Sequence, residues 1–277
     1  MAETLAILRK KIDLTRGKDI ELVAWSSGTD EQIAAMVQGY YDGDVTLDQI
    51  QSVWKVGDVR NVSLSAMAAT GVGESHRAQT VQLAIADFNH DDLTTAIGDK
   101  TKALLTWTQK DCLRAANVSD TGGSSNSEHG YMNSSSTNAN GWRGCARRTW
   151  CNNVYLKALP ANLQALIKPV NKKSGTGDGS SSGIETTSDS IFLGSEIEIF
   201  GSTTYSVAGE GSQYTYYKTA ANRNKLPRWS SSGSSDYWWE RSPYSGHSDY
   251  FCLVSIDGSA NNSYASYTNG LSPFGCF

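Results

Sequence analysis

Trp238-Trp239-Glu240-Arg241-Ser242-Pro243 runs directly into a polar-aromatic stretch, 244–269, which closes with Gly270-Leu271-Ser272-Pro273-Phe274. The stretch is rich in Tyr, Ser, Asn, Asp and Gly and contains no Lys, Arg, Glu, Gln, Met or Trp. Ordinary solvent-facing loops use Lys and Glu freely. A window that omits them in favour of Tyr, Ser, Gly and Asn has the composition of a paratope, where Tyr supplies rigid amphipathic area and the small polar residues supply adaptable hydrogen bonds. Interleaved residues read as frame. Pro243 fixes φ at the entry. Phe251, Cys252 and Val254 suit a buried strand face, Gly258 and Gly270 suit turns, and Ala265 suits a position with no room for a larger side chain. Tyr244, Tyr250, Tyr264 and Tyr267 are the expected recognition anchors.

Outward from this tail, the rest of the chain reads as short elements and long connections. Leu5, Leu8 and Ile12 share a face of a short helix within residues 1–18. Ile20 to Trp25 suits a short strand. Thr29 with Gln32 forms a capping-box signal, after which Ile33, Met36, Val37, Tyr40 and Tyr41 recur at helical spacing and Gly43 ends the run. Thr46 with Gln49 repeats the start signal. The period then changes to two. Val56, Val59, Val62 and Leu64 predict one strand region, Val81, Leu83 and Ile85 a second, and Ala103 to Trp107 a third. Arg143 to Ala158 reads as a helix with Ala146, Trp150 and Val154 on one side. Pro160 starts another through Leu163, Leu166 and Ile167. Ile191-Phe192-Leu193 is a short apolar strand. Segments 118–141, 173–190 and 230–236 read as solvated loops, because Ser, Gly, Asn and Thr bury little apolar area. The pattern predicts an α+β fold, with residues 1–52 as a small separate module and 53–277 as the main domain. Trp54, Trp142, Trp150, Trp229, Trp238 and Trp239 supply core area where regular structure is sparse.

The bulk properties narrow the function. The chain has 277 residues and a formal net charge of −4, with no basic footprint for nucleic acid. No apolar run approaches the roughly 18 residues of a membrane helix, which predicts no membrane insertion. Charges follow a short apolar patch in Met1 to Lys11, the wrong order for a secretory signal. Synthesis in a cytoplasm, with another exit route for any outside role, is the expectation. Cys112, Cys145, Cys151, Cys252 and Cys276 are odd in number and form no CxxC pair, so they read as buried free thiols.

Several segments in order carry a resemblance. They are Trp54-Lys55-Val56-Gly57-Asp58; Phe88-Asn89-His90-Asp91-Asp92-Leu93; Gly141-Trp142-Arg143-Gly144-Cys145 leading to Arg147-Arg148-Thr149-Trp150; Thr186-Thr187-Ser188-Asp189; Glu196-Ile197-Glu198-Ile199-Phe200-Gly201; and Trp239-Glu240-Arg241-Ser242-Pro243 to Pro273-Phe274. Together they resemble the C-type-lectin-fold variable proteins of diversity-generating retroelements, in a phage and gut-bacterial branch related in fold to the phage tropism determinants. The resemblance implies a C-type lectin-like domain over 53–277, with short antiparallel strands, two helices and long loops, and a variable region at about 241–274. It also implies randomisation of template adenines. Asn codons altered at their first two bases never yield Lys, Glu, Gln, Met or Trp, which the window lacks. The positions expected to vary and to bind ligand are Tyr244, Gly246, His247, Asp249, Tyr250, Leu253, Ser255, Ile256, Ser259, Asn261, Asn262, Tyr264, Ser266, Tyr267 and Asn269. The implied protein binds a bacterial surface protein or glycan. Residues 1–52 would attach it to a phage tail or other assembly, or aid formation of a homo-oligomer, and virion release would carry it outside the cell.

Other chemistry is weaker in the sequence. His90-Asp91-Asp92 reads as a turn between strands. Asp236, Asp249, Asp257 and Glu240 are too scattered to define a calcium-lectin site, and neither a metal nor another cofactor is expected. Arg143, Arg147, Arg148 and Arg241 are expected to pair with Glu196, Glu198 or Glu240. His76 and His129 read as isolated exposed residues. Gly71-Val72-Gly73 lacks the context of a nucleotide loop. No Ser-His-Asp, Cys-His or paired-carboxylate spacing supports an enzyme. The alternatives are a calcium-dependent glycan lectin and, on a related fold, a formylglycine-generating-type enzyme using Cys252 or Cys276.

Overall fold

The computed structural model describes residues 20–70, 72, 75–113, 130–180, 183–226 and 235–277. The expected helix within 1–18 lies outside them, as do His129 and Trp229. Helix α1, Asp30–Asp42, begins at the predicted capping box of Thr29 and Gln32 and ends at Gly43, whose φ of 82° needs no Cβ. Helix α2, Leu47–Val53, repeats the device with Thr46 and Gln49. The expected strand at Ile20–Trp25 is irregular backbone. Its groups are spent elsewhere: Val23 N–H points to the Met36 thioether, and the Trp25 indole N–H donates to Leu83 O.

Three antiparallel sheets follow. The largest orders β1 (Val59–Leu64), β2 (Gln79–Phe88), β5 (Leu105–Gln109), β12 (Phe274–Cys276) and β8 (Ile191–Phe192) side by side. The second orders β4 (Lys100–Lys102), β3 (Asp92–Ile97), β6 (Val170–Gly175) and β7 (Ile184–Asp189). The third is a meander of β11 (Ala260–Tyr264), β10 (Tyr250–Val254) and β9 (Trp238–Pro243). The fold is therefore α+β, as the change of period predicted. β6 and β7 correct the expectation of a loop over 173–190. Their pairing runs from Val170↔Asp189 to Gly175↔Ile184. Buried Lys172 and Ser174 alternate with exposed Asn171 and Lys173, so a polar sequence conceals a period of two.

The helical region is also interrupted. Gly141–Gly144 forms one turn (α3), Cys145 breaks it, and Ala146–Trp150 (α4) passes through a wider π turn at Cys151–Tyr155 into Leu156–Ala158 (α5). Helix α6, Ala161–Leu166, starts after Pro160 as expected. Helix α7, Glu196–Phe200, is capped by Ser195 and Glu198.

One apolar core unites these elements. Trp25, Ile33, Met36 and Trp54 share it with Trp107, Trp150 and Trp238. The Tyr41 hydroxyl donates to Phe277 O, and Asp30 receives bonds from Arg60 and from Asn162, the latter at 2.8 Å. Residues 20–53 share one apolar core with the other described residues: α1 packs against α6, while Ile20 and Val45 of its own segment flank Gly39. All five cysteines are buried free thiols. Among the described residues, no helix is long and apolar enough to cross a membrane.

Candidate ligand-binding face

Strand β9 is buried at all six positions, and its charges are held by neighbouring elements. Arg241 uses its full guanidinium fork. It reaches Glu198 at 2.5 and 2.9 Å and the carbonyls of Leu193, Lys173 and Glu210 at 2.9–3.2 Å. Lys172 extends this network to Asp91 at 2.5 Å, Glu198 at 2.6 Å and the Tyr214 hydroxyl at 3.0 Å. The two cations hold the Glu198 carboxyl below its usual range, against the opposing effect of burial. The other arginines depart from the expected partners. Arg143 pairs with Glu185, Arg148 with Asp189, and Arg147 binds the carbonyls of Val72 and Tyr131. Glu196 accepts the N–H groups of Tyr205 and Ser206. Glu240 is fully buried with no hydrogen-bond partner on either oxygen. Burial, then repulsion from Glu196 and Glu210, pushes its carboxyl well above the usual range.

From this frame the chain emerges as a hairpin loop. Phe251 pairs with Pro243, and Tyr244 N–H closes the loop on Tyr250 O at 3.0 Å. Tyr250 then pairs with Tyr264 across β10 and β11. The rings form a continuous run. Tyr205 meets Tyr244 at 5.3 Å, Tyr244 meets His247 at 5.2 Å, and His247 meets Tyr250 at 4.9 Å. Tyr250 packs edge-on against Tyr264 at 4.4 Å, and Tyr264 meets Tyr267 at 5.0 Å. These are contacts between rings that also keep a solvent-facing side: Tyr244, Tyr250 and Tyr264 are half-buried, and Tyr267 is 57% exposed. The Tyr264 hydroxyl beside Tyr250 pushes that phenol up to about 12.

Gly246 and His247 are exposed at the loop tip, and Asp249 and Ser266 are half-buried. Ile256, 49% exposed, and Ser259 lie at the opposite end of the hairpin, on the turn closed by Ser255 N–H to Ser259 O. Asn261 and Asn262 lie along β11, and Asn269 bridges to Gly130. Ile256, Ser259, Asn261, Asn262 and Asn269 are all outside the ring-to-ring run. Leu253 and Ser255 are corrections, being only 2% and 8% exposed. β10 is buried at its last four positions, so Leu253 has no solvent-facing side. Ala265 is fully buried; its carbonyl accepts from Met132 and Asn133 N–H. Sequence reasoning missed Tyr205, which lengthens the aromatic run. It also missed Asn138, which is fully buried beneath the loop. Neither carries a local sequence signal, since both join the face only through tertiary contact.

Elsewhere the polar clusters serve the fold. His90 Nε2 lies 3.0 Å from Ser212 Oγ and Nδ1 lies 3.6 Å from Asp91, the order of a nucleophile, base and carboxylate. The Asp91 spacing is beyond hydrogen-bond range, and Asp91 is occupied by Lys172, Thr106 and Tyr214. These residues border a polar pocket of about 370 Å³ whose buried charges already pair with one another. His76, expected at the surface, is 1% exposed and packs on Trp150 at 5.5 Å. Cys252 and Cys276 are fully buried, and desolvation pushes both thiols well above their usual range. Among the described residues, no group of three or more His, Cys, Asp or Glu side chains is arranged to hold a metal ion.

The arrangement defines an α+β protein with a tyrosine-lined face carried on a charge-stapled buried strand. The chain belongs to the family described as Domain of unknown function (DUF6273), which matches residues 104–276 and so spans β5 to β12. No curated protein and no solved structure matches it.

Proposed function

We propose that this chain is a ligand-binding protein of C-type lectin-like fold whose C-terminal face is a diversified recognition surface. The observation that carries the reading is the half-exposed run Tyr244–His247–Tyr250–Tyr264–Tyr267, set in a window free of Lys, Arg, Glu and Gln. Rigid aromatic rings with polar tips give contact area at low entropic cost. The partner is a bacterial surface protein or glycan. The protein acts outside the cell as part of a phage or prophage assembly, attached through its first residues. Binding does not draw on catalytic chemistry, and the face supplies contact area and hydrogen bonds.

Two measurements test this. Wild-type protein and the Tyr250→Ala/Tyr264→Ala variant are screened on a bacterial glycan array and a panel of bacterial cells. Binding should fall about tenfold or more in the variant, given the usual cost of removing aromatic anchors, with thermal stability almost unchanged. Equal binding by both proteins sinks the recognition role. Separately, the surrounding locus should hold a reverse transcriptase and a near-identical template repeat that differs only at adenines. A locus without them leaves a static binder.

A further inference from the structure

The loop that carries Tyr244, His247 and Tyr250 is gripped from beneath by one side chain. Asn138 is fully buried. Its carboxamide N–H groups point to three carbonyls of the loop: His247 O at 2.7 Å, Tyr250 O at 2.8 Å and Tyr244 O at 3.3 Å. Its own backbone N–H donates to a fourth, Ser248 O, at 2.7 Å. Its side-chain oxygen accepts Asp178 N–H at 2.8 Å, and its carbonyl accepts Gly141 N–H at 2.9 Å. Gly177 presses on the same carbonyl, where a Cβ would come within 1.9 Å. Asn138 is thus locked to α3 and to the 177–178 turn on one side and holds the loop on the other. Every bond it makes to the loop ends on a main-chain oxygen.

We infer that Asn138 is the positioning residue of the recognition face, fixing the shape of loop 244–250 through main-chain atoms so that the shape is independent of the side chains the loop displays. The inference rests on the proposed recognition role for its biological meaning, but the geometry and its test need no ligand. The chemistry also specifies the residue. A carboxamide donates to carbonyls and accepts from Asp178 N–H at once, whereas a carboxylate of the same shape is acceptor-only. Asp at 138 would set a buried oxygen against three carbonyls. The supports at the margin include main-chain bonds of the same kind, since Ser245 N–H donates to Tyr205 O and Ala265 N–H donates to Asp249 O, with the Ser245 hydroxyl adding one side-chain bond to Tyr205 O.

The test is amide hydrogen exchange on the full chain. In Asn138→Asp, exchange across 244–251 should rise by at least about tenfold, while amides of the β6–β7 hairpin keep their protection, because local opening is separable from global unfolding. In Tyr244→Ser/His247→Ser/Asp249→Ser/Tyr250→Ser with Asn138 intact, loop protection should stay within about threefold of wild type. Unchanged loop exchange in folded Asn138→Asp overturns the inference, and so does a rise confined to no one region. Loss of loop protection in the fourfold variant overturns it as well. If Asn138→Asp does not fold, the fourfold variant decides alone. A chain that binds no ligand but shows this exchange pattern would refute the proposed function and leave the clamp standing.

Discussion

Strand β9 and the stretch that follows it are neighbours in sequence and opposites in environment. β9 carries Glu240 and Arg241 and is wholly buried, while β11 carries Asn and Tyr and is half-exposed at every position. β9 buries Glu240 and Arg241 beside Trp238 and Trp239, whereas Tyr264 of β11 keeps one side in water. Arg241 is tolerated inside because all its donors find a carboxylate or carbonyl. The tyrosines remain at the surface because their rings shield one another, which reduces exposed apolar area while leaving hydroxyls wet. The comparison teaches that a half-exposed tyrosine strip can sit directly beside an interior whose polar groups are closely specified.

The largest way to break this contrast is to remove the staple. Arg241→Met leaves Lys172 as the remaining cation on Glu198 and removes the guanidinium donors to Glu198, Leu193 O, Lys173 O and Glu210 O. It should cost about 3–5 kcal/mol, the scale of a buried pair losing one member, read by urea unfolding. A loss under about 1 kcal/mol would mean the network is not needed to hold β9. Next, Leu253→Ala should cost ~2–5 kcal/mol as a core truncation. A surface-sized effect would return Leu253 to the display face.

The same interior has a pH signature. Burial pushes Glu210 up to about 7, above the ordinary 4.5. An acid with a raised folded value contributes stability at low pH that is lost as pH rises from its unfolded to its folded value. Stability should therefore fall by on the order of 3 kcal/mol from this group between pH 4.5 and 7. Glu240 shifts in the same direction. His90, raised above 6.5 by Asp91 against the larger opposing effect of burial, also loses its contribution as pH rises through its folded value. Asp91 and Glu198, both lowered, matter only as pH drops below their ordinary values. Glu210→Gln keeps an acceptor for Gly175 N–H and should flatten the fall. Stability that rises over this window in wild-type protein would contradict the assignment. The smallest expected effect sharpens the contrast from the other side: Tyr267→Ala should change unfolding free energy by no more than ~0.5 kcal/mol, as for an exposed position away from caps and core. A thermal shift as large as that of Leu253→Ala would make Tyr267 part of the frame.

Much of this was legible in the chain. The two capping boxes, the strands at β1, β2 and β5, the frame residues Phe251, Cys252, Val254 and Ala265, and the exposed tyrosines all follow from local chemistry. What escaped is equally specific. The β6–β7 hairpin hides in a polar sequence because its buried side is filled by Lys172 and Ser174, whose partners come from β3, α7 and the segment around Glu210.

Residue types and spacing alone determined the capping boxes, the change of period and the burial of Phe251, Cys252, Val254 and Ala265, since periodicity and turn chemistry are local properties. Only the tertiary structure decided that Leu253 and Ser255 lie inside, that α1 joins the common core, and that Asn138 grips the loop. Burial on both faces and bonds between residues more than a hundred positions apart depend on which elements meet, and no short window of sequence records that.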